Sequence, residues 1–296
     1  MITEDSKLTL AVPNWNGARY LEQTMLSLER NRPYVRWWLQ DSCSTDASAQ
    51  IAARFAGPED RIVVEKDSGQ TNGLNRAFHK MGGEIVGFIN SDDLLADGAA
   101  QTILEAFAED PELDLLYGEV EWIDAEGRSE GFHAGNISSY SDILNIYKVW
   151  WMQKHWVQPE VFYRRSMWER VGSFNENYNL AFDYEYWVRC FQKGIKTKRM
   201  PRVLAKFRRH AEQKSTASQK AADEIRAIVG TALDSGRLGV RETFSLRNRL
   251  GYDCYHSGKH PLQGKPLWYA LSRYPCWLAL PEVRSRLAQS RRALGT

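Results

Sequence analysis

The chain has 296 residues, of which 43% are hydrophobic and 26% charged, with a formal net charge of +2. Such a length suits one large domain or a domain with a smaller appendage, and the near balance of charge implies no polyelectrolyte partner such as nucleic acid. Cys43, Cys190, Cys254 and Cys276 are widely spaced, with no C-x-x-C pair, so neither a zinc site nor a disulfide framework is expected and a reducing cytoplasm is the default setting. The opening "MITEDSKLTLAV" has no signal pattern, and no apolar run approaches the roughly 20 residues of a membrane span.

In chain order, "LTLAV" (8–12) reads as a short buried strand stopping at Pro13, and "ARYLEQTMLSLERN" follows with Leu21, Met25 and Leu28 at helical spacing. "VRWWLQ" is a second strand ending at Asp41, and Asp46 is placed to cap a helix carrying Ile51 and Phe55. "RIVVEKD" is a third strand ending at Asp67. "GLNRAFHKM" then puts Leu74, Ala77, Phe78 and Met81 on one helix face. "EIVGFIN" is a fourth strand, "AAQTILEAFAED" a helix and "LDLLYGEVEWID" a strand. From Asn136 to Glu160 the rhythm breaks into an aromatic, basic segment that reads as a long functional loop. "DYEYWVRCFQKG" is again a helix, with Tyr184, Trp187, Val188 and Phe191 on one face and Gly194 as its stop, and "RVLAKFRRH" a last strand. After about residue 215 the chain turns helical, with Ile225, Ile228, Val229 and Ala232 in register.

Near-continuous apolar strands alternating with helices predict an α/β fold, a mostly parallel sheet flanked by helices over residues 1–215, with a small helical C-terminal region over 216–296. In such sheets ligands bind at the carboxyl ends of the strands. Asp41, Asp67 and the pair Asp92-Asp93 each follow a strand, so they are expected along one edge.

The pair in "GFINSDDLLADG" carries the chemistry. One Asp after a strand is commonly a turn residue or helix cap. Two in a row disfavour each other's ionisation unless a cation neutralises them. Oxygen ligands select Mg²⁺ or Mn²⁺, which keep positions open for substrate phosphates. There is no G-x-x-x-x-G-K-[ST] loop, no G-x-G-x-x-G after the first strand, and no glycine-rich basic loop of the sugar nucleotidyltransferase kind.

Taken together, "LAVPNWNGARYLEQTMLSL", "LQDSCSTDAS", "EKDSGQTNGLNRAFHKMGGEIVGFINSDD", "LYGEVEWID", "PEVFYRRSMWERVGSFNENYNLAFDYEYWVRC" and "LAKFRRHAEQKS" resemble family 2 glycosyltransferases of the GT-A fold, over roughly residues 7 to 216. The resemblance implies an inverting, metal-dependent transfer of a sugar from a nucleotide-sugar donor, UDP-linked, to a glycan or lipid-linked acceptor in cell-surface polysaccharide or glycolipid synthesis. It assigns Asp41 to the uracil N–H; Pro13, Asn14 and Asn16 to the first nucleotide-binding turn; and Asp67, Asn75 and Arg76 to the segment beside the donor. It makes Asp93 the metal ligand and Asp92 the contact to ribose or donor sugar, with Asn90 standing where many members have a further Asp. Asp183 becomes the catalytic base, also placed to cap a helix, with Glu185 the second choice. Arg208 is assigned to the diphosphate, and His210 to the metal or the diphosphate if it is not simply structural.

Trp150, Trp151 and Trp156 suit either an acceptor-stacking platform or plain packing. The basic, aromatic tail from Gly264 suits either a solvated helical face or peripheral contact with the inner face of a membrane. Two other classes stay open: a catalytically inactive relative acting as a binding or scaffold subunit, which would be expected to lose Asp93 or Asp183, and a sugar nucleotidyltransferase.

Overall fold

The computed structural model describes residues 7–214 and 218–293. The strands are β1 (Leu8–Asn14), β2 (Val35–Asp41), β3 (Arg61–Val64), β4 (Ile85–Phe88), β5 (Leu94–Leu95), β6 (Leu115–Ile123), β7 (Ser129–His133), β8 (Val161–Arg164) and β9 (Thr197–Arg208). The helices are α1 (Ala18–Glu29), α2 (Ser48–Ala53), α3 (Gln70–Lys80), α4 (Ala99–Glu109), α5 (Tyr140–Ile143), α6 (Arg165–Val171), α7 (Phe182–Gln192), α8 (Ser218–Asp234), α9 (Val240–His256), α10 (Leu267–Arg273) and α11 (Pro281–Ala293). The chain divides into two compact units, Met1–Asn136 with Trp156–Ala221, and Ile137–His155 with Ala222–Thr296.

In the first unit, among the described residues, the strands form one sheet in the order β3-β2-β1-β4-β8-β6-β9-β5, with β7 paired to β6. β3, β2, β1 and β4 run parallel. β8 enters antiparallel between β4 and β6, and β6 runs parallel to β9. β1 is buried at every position, which explains its unbroken apolar run. From β1 the chain goes one way to β2 and β3 and the other way to β4. The crevice outside the carboxyl ends of β1 and β4 is therefore the switch point where open α/β sheets bind ligands. The expected helix faces are buried: Leu21, Met25 and Leu28 on α1, Leu74, Ala77 and Phe78 on α3, and Tyr184, Trp187 and Val188 on α7.

The second unit takes in the segment that sequence alone suggests as a loop. Residues 140–143 are a helical turn, and Tyr147–Trp151 form one π-helical turn. Its core gathers Tyr252, Ala270, Trp277, Leu280 and Val283, with Ile225, Ile228 and Val229 buried on α8. Asp253 ties it together, accepting from Trp151 Nε1 at 3.0 Å and Arg226 Nε at 2.7 Å. Among the described residues no helix is long and apolar enough to cross a membrane.

A Cβ on Gly118 of β6 would lie 2.4 Å from Leu204 Cγ and 2.9 Å from the Arg202 carbonyl oxygen. Gly118→Ala is expected to lower stability by about 1–3 kcal/mol, as overpacked cores do, measured by urea unfolding. Glu160, entering β8, is fully buried; its Oε1 accepts the Val157 N–H at 3.0 Å and its Oε2 has no partner among the described residues. Burial pushes its carboxyl well above the usual range, the Val157 N–H opposing and the nearby Glu119 charge adding to it. An acid whose folded pKa is raised loses stability as pH climbs above its unfolded value. Glu160→Gln should therefore be the more stable protein at pH 8, with the gap closing as pH falls into the ordinary glutamate range. Parallel denaturation series at the two pH values measure it.

Candidate active site

The parallel pairing of β1 with β2 sets Asn14 opposite Asp41. Asp41 is buried, and both its oxygens have protein partners. Oδ2 accepts from Asn14 Nδ2 at 2.6 Å and Ser44 Oγ at 2.7 Å, and Oδ1 accepts the Ser44 N–H at 2.7 Å. Asn16, in the left-handed region at φ 52°, accepts the Thr45 N–H on Oδ1 and donates its own N–H to Ser44 Oγ. Asp46 accepts from Ser48 N and from Ala18 N, so it supports the starts of α2 and α1 together. Asp41 thus builds the turn that follows β2. Beside it, Asn14 Oδ1 is buried without a partner among the described residues, an acceptor suited to an N–H. Pro13 is buried within β1. A Cβ on Gly17 would fall 2.2 Å from Asn14 Oδ1 and 2.7 Å from Ser91 Oγ, so only glycine lets this first loop close against the Asp92 turn.

Asp67 Oδ1 accepts from Ser42 Oγ at 2.8 Å and from the Gly69 N–H at 2.9 Å. Its other oxygen crowds Gly73 of α3, where a Cβ would stand 2.7 Å away. Asp67 therefore joins the loops after β2 and β3. Asn75 is buried and holds a different segment: its Oδ1 accepts the Phe174 N–H, and its Nδ2 donates to Phe174 O and to Glu176. Its amide anchors the loop that leads into α7. Arg76 caps the Lys66 carbonyl and faces Glu65 at 3.7 Å.

The Asp92-Asp93 turn separates two unlike carboxylates. Asp93 is 1% exposed, and accepts the Arg208 N–H on Oδ1 and Asn90 Nδ2 on Oδ2, each at 3.0 Å. Burial, reinforced by the charge of Asp92, pushes its carboxyl well up from the usual range. Asp92 is the more open member, its side chain 26% exposed, with Oδ2 2.9 Å from His210 Nε2. His210 Nδ1 is buried without a partner among the described residues. Its ring packs on Tyr20 at 4.7 Å. Arg208 is fully buried and spends its guanidinium on Asp92 O, Asp124 O, Ala125 O and Gln23 Oε1, over the Tyr20 ring at 4.8 Å. The resemblance gives Asp93 to a metal and Arg208 to a diphosphate. In the structure both side chains are occupied in joining the end of β9 to the turn after β4.

Asp183 lies in the first turn of α7, half-buried, with Oδ1 accepting the Tyr184 N–H at 2.7 Å. Glu185 pairs with Arg189 at 2.9 Å and is buried, which makes it the poorer base. Phe182 stacks on Phe88 of β4 at 6.0 Å, and the Lys214 amino group stands 5.9 Å over the Phe182 ring. Lys214 also donates to Gln70 Oε1, and Gln70 Nε2 donates to Asn90 Oδ1. This relay brings the starts of α3 and α7 to the Asp92 turn. Ser44, Gln70, Gln158 and Lys214 bond to the candidate residues or to one another although the sequence did not single them out. Gln158 Nε2 donates to Phe88 O, and its only advance sign was the Gln-Pro-Glu entry into a strand.

Of the three tryptophans, Trp156 is buried among Tyr117, Trp187 and Phe191 and is core. Trp151 packs on Tyr147, Tyr252 and His256, and Trp150 stacks on His155. No cluster of three or more metal-ligating side chains occurs among the described residues. A hard cation that takes most of its ligands from water and phosphate oxygens still fits a partly open carboxylate beside a histidine nitrogen.

The family profile of glycosyl transferase family 2 matches residues 9–182. A PGL/p-HBAD biosynthesis glycosyltransferase of Mycobacterium bovis is 26% identical over 247 residues, 81% of this chain and 90% of the relative. The O-antigen biosynthesis protein RfbC of Myxococcus xanthus is 25% identical over 86% of this chain and 19% of its own length. Among solved structures, S. aureus TarS in complex with UDP-GlcNAc superposes with a TM-score of 0.63 at 15% identity, over 87% of this chain and 74% of that one. The mannosyltransferase PcManGT from Pyrobaculum calidifontis, in complex with GDP-Man and Mn²⁺, gives 0.57 at 18% identity, over 96% and 84%. The sheet with its helices is the GT-A fold of these neighbours, and the chain belongs to glycosyl transferase family 2 and is a glycosyltransferase.

Proposed function

We propose that the chain moves a sugar from a nucleoside-diphosphate sugar, UDP-linked, to a hydroxyl of a glycan or lipid-linked acceptor, with inversion, in the synthesis of a cell-surface polysaccharide or glycolipid. The carrying observation is the half-open Asp92 carboxylate against His210 at the switch point of the sheet. The names of the relatives support the acceptor class, and the neighbours' complexes with UDP-GlcNAc and GDP-Man support the donor class.

In this reading the nucleoside lies along the loops after β1 and β2, where Asn14 Oδ1 offers an acceptor and Asp41, Asn16 and Asp67 hold the loops in shape. Asp92 and His210 would hold Mg²⁺ or Mn²⁺; the metal position thus falls to Asp92, while Asp93 and Arg208 act through it as its support. The bound cation would supply positive charge to the departing diphosphate. Asp183 accepts the proton of the acceptor hydroxyl as its oxygen attacks the anomeric carbon. The bond from that carbon to the diphosphate breaks, and its electron pair leaves with the nucleoside diphosphate. No acid is needed at the leaving group, whose basicity is already low. Asn75, by fixing residues 174–176, orients the approach to α7.

Asp183→Asn is expected to lower sugar transfer by 100-fold or more while leaving UDP binding intact, followed by nucleotide release and calorimetry; retained turnover would remove Asp183 as the base. Asp92 and Asp93 should separate by readout. Asp92→Asn should abolish the Mn²⁺ dependence of UDP binding with little change in melting temperature. Asp93→Ala should lower stability by about 1–3 kcal/mol through its lost hydrogen bonds. A screen of UDP- and GDP-sugars for protein-dependent release of the free nucleotide tests the function itself, and pyrophosphate formation from UTP would sink it.

A further inference from the structure

Charge is unevenly divided between the two units. Residues 137–155 and 222–296 carry 14 Lys and Arg against 7 Asp and Glu, a net of +7, which leaves −5 for the rest of a chain whose total is +2. The same unit exposes large apolar side chains out of proportion to its size: Trp268 is 71% exposed, Val240 88%, Phe244 59% and Leu278 47%. Scattered exposed apolar residues are ordinary on a protein surface, but bulky ones interleaved with unneutralised cations are not.

The stretch from Lys265 to Leu278 shows the interleaving directly. Tyr269 has the Lys265 amino group at 6.0 Å and the Arg273 guanidinium at 5.9 Å from its ring centre, and the Trp268 ring beside it at 5.9 Å. Neither cation has a carboxylate partner within ion-pair distance among the described residues. Tyr274 stacks on Trp277 at 4.8 Å, so this ring rests on the buried core of the unit. On α9, Val240, Phe244 and Asn248 recur every fourth residue on one face. Asn248 accepts a hydrogen bond from Cys276 at 3.0 Å, which brings that face to the turn carrying Leu278. Arg241 stands exposed next to Val240.

We propose that this face of the second unit docks on an anionic lipid bilayer, with Trp268, Phe244 and Leu278 entering the interface and Lys265, Arg273 and Arg241 meeting the headgroups. Aromatic rings with one wet edge, aliphatic tips and unpaired cations are what a negatively charged interface selects. A nucleic acid would use the cations and rings but has no need of Val240 and Leu278, and a second copy of this unit would meet a like charge of +7. The inference deepens the reading of a lipid-linked acceptor, yet its test involves no sugar transfer, so either can fail alone.

The test is flotation of the full chain with vesicles of phosphatidylcholine alone and with one third phosphatidylglycerol. Binding is expected to the anionic vesicles only and to fall steeply in 0.5 M NaCl. Lys265→Glu with Arg273→Glu should weaken it by at least roughly 25-fold, taking about fivefold for each cation lost, and Trp268→Ser should weaken it without changing the salt dependence. Circular dichroism and hydrolysis of a soluble donor should stay at wild-type values in these variants. Equal binding to neutral vesicles, no binding to either, or wild-type binding by the variants would overturn the proposal. So would a concentration-dependent dimer that Phe244→Ser or Trp268→Ser dissolves, or binding of duplex DNA tighter than of the anionic vesicles.

Discussion

The hydrogen bond from the Arg208 N–H to the buried carboxylate of Asp93 joins positions 115 residues apart and closes the end of β9 onto the turn after β4. Asp93 follows β4, at the centre of the sheet, while Arg208 ends β9, near its far edge. β5, which follows Asp93 directly, pairs with β9 at Leu94↔Lys206 and Leu95↔Ala205, and the Arg208–Asp93 bond extends that pairing to the turn, two residues before His210 meets Asp92. The Arg208 side chain completes the clamp by reaching the Asp92 carbonyl and the carbonyls after β6. A single arginine thus uses both its backbone and its guanidinium to hold the turn that presents Asp92.

The pair of carboxylates resolves its own repulsion by unequal environments. Burial makes ionisation of Asp93 costly and favours one negative charge over two in the turn. Asp92 keeps contact with solvent and with His210. Asn90, where a third acid would deepen the conflict, instead donates to Asp93 and receives from Gln70. A neutral amide at that position lets the turn be knitted to α3 without adding charge. In the proposed reading, the site has one open carboxylate and depends on the substrate diphosphate to complete it.

Much of the architecture was legible because apolar runs that end abruptly in carboxylates mark buried parallel strands opening onto a polar edge. The edge formed by Asn14, Asp41, Asp67 and Asp92 follows directly from parallel strands. What stayed hidden depended on contacts across long separations. Adjacent residues in a tight turn give no periodicity, so nothing in "SDD" told which carboxylate is buried. An arginine is by composition a surface residue, and Arg208 contradicts that only through partners at positions 23, 92, 124 and 125. The resemblance assigns Asn75 to the segment beside the donor; its reciprocal bonds to Phe174 cross 99 residues and leave no local pattern. The segment 137–155 was hidden for another reason: a short helix and a π-turn leave no 3.6-residue stripe long enough to recognise.

Gly17 has a consequence for how such a sequence can drift. The space a side chain would need there is already held by Asn14 Oδ1 and Ser91 Oγ, from the ends of two different strands. Those three positions share one small volume, so a side chain added at 17 must displace those of Asn14 and Ser91. A larger residue at 17 becomes tolerable only if 14 and 91 shrink in the same lineage, and shrinking 14 discards the bond to Asp41 that shapes the neighbouring turn. The glycine is therefore locked in place by what its neighbours do rather than by any contact of its own.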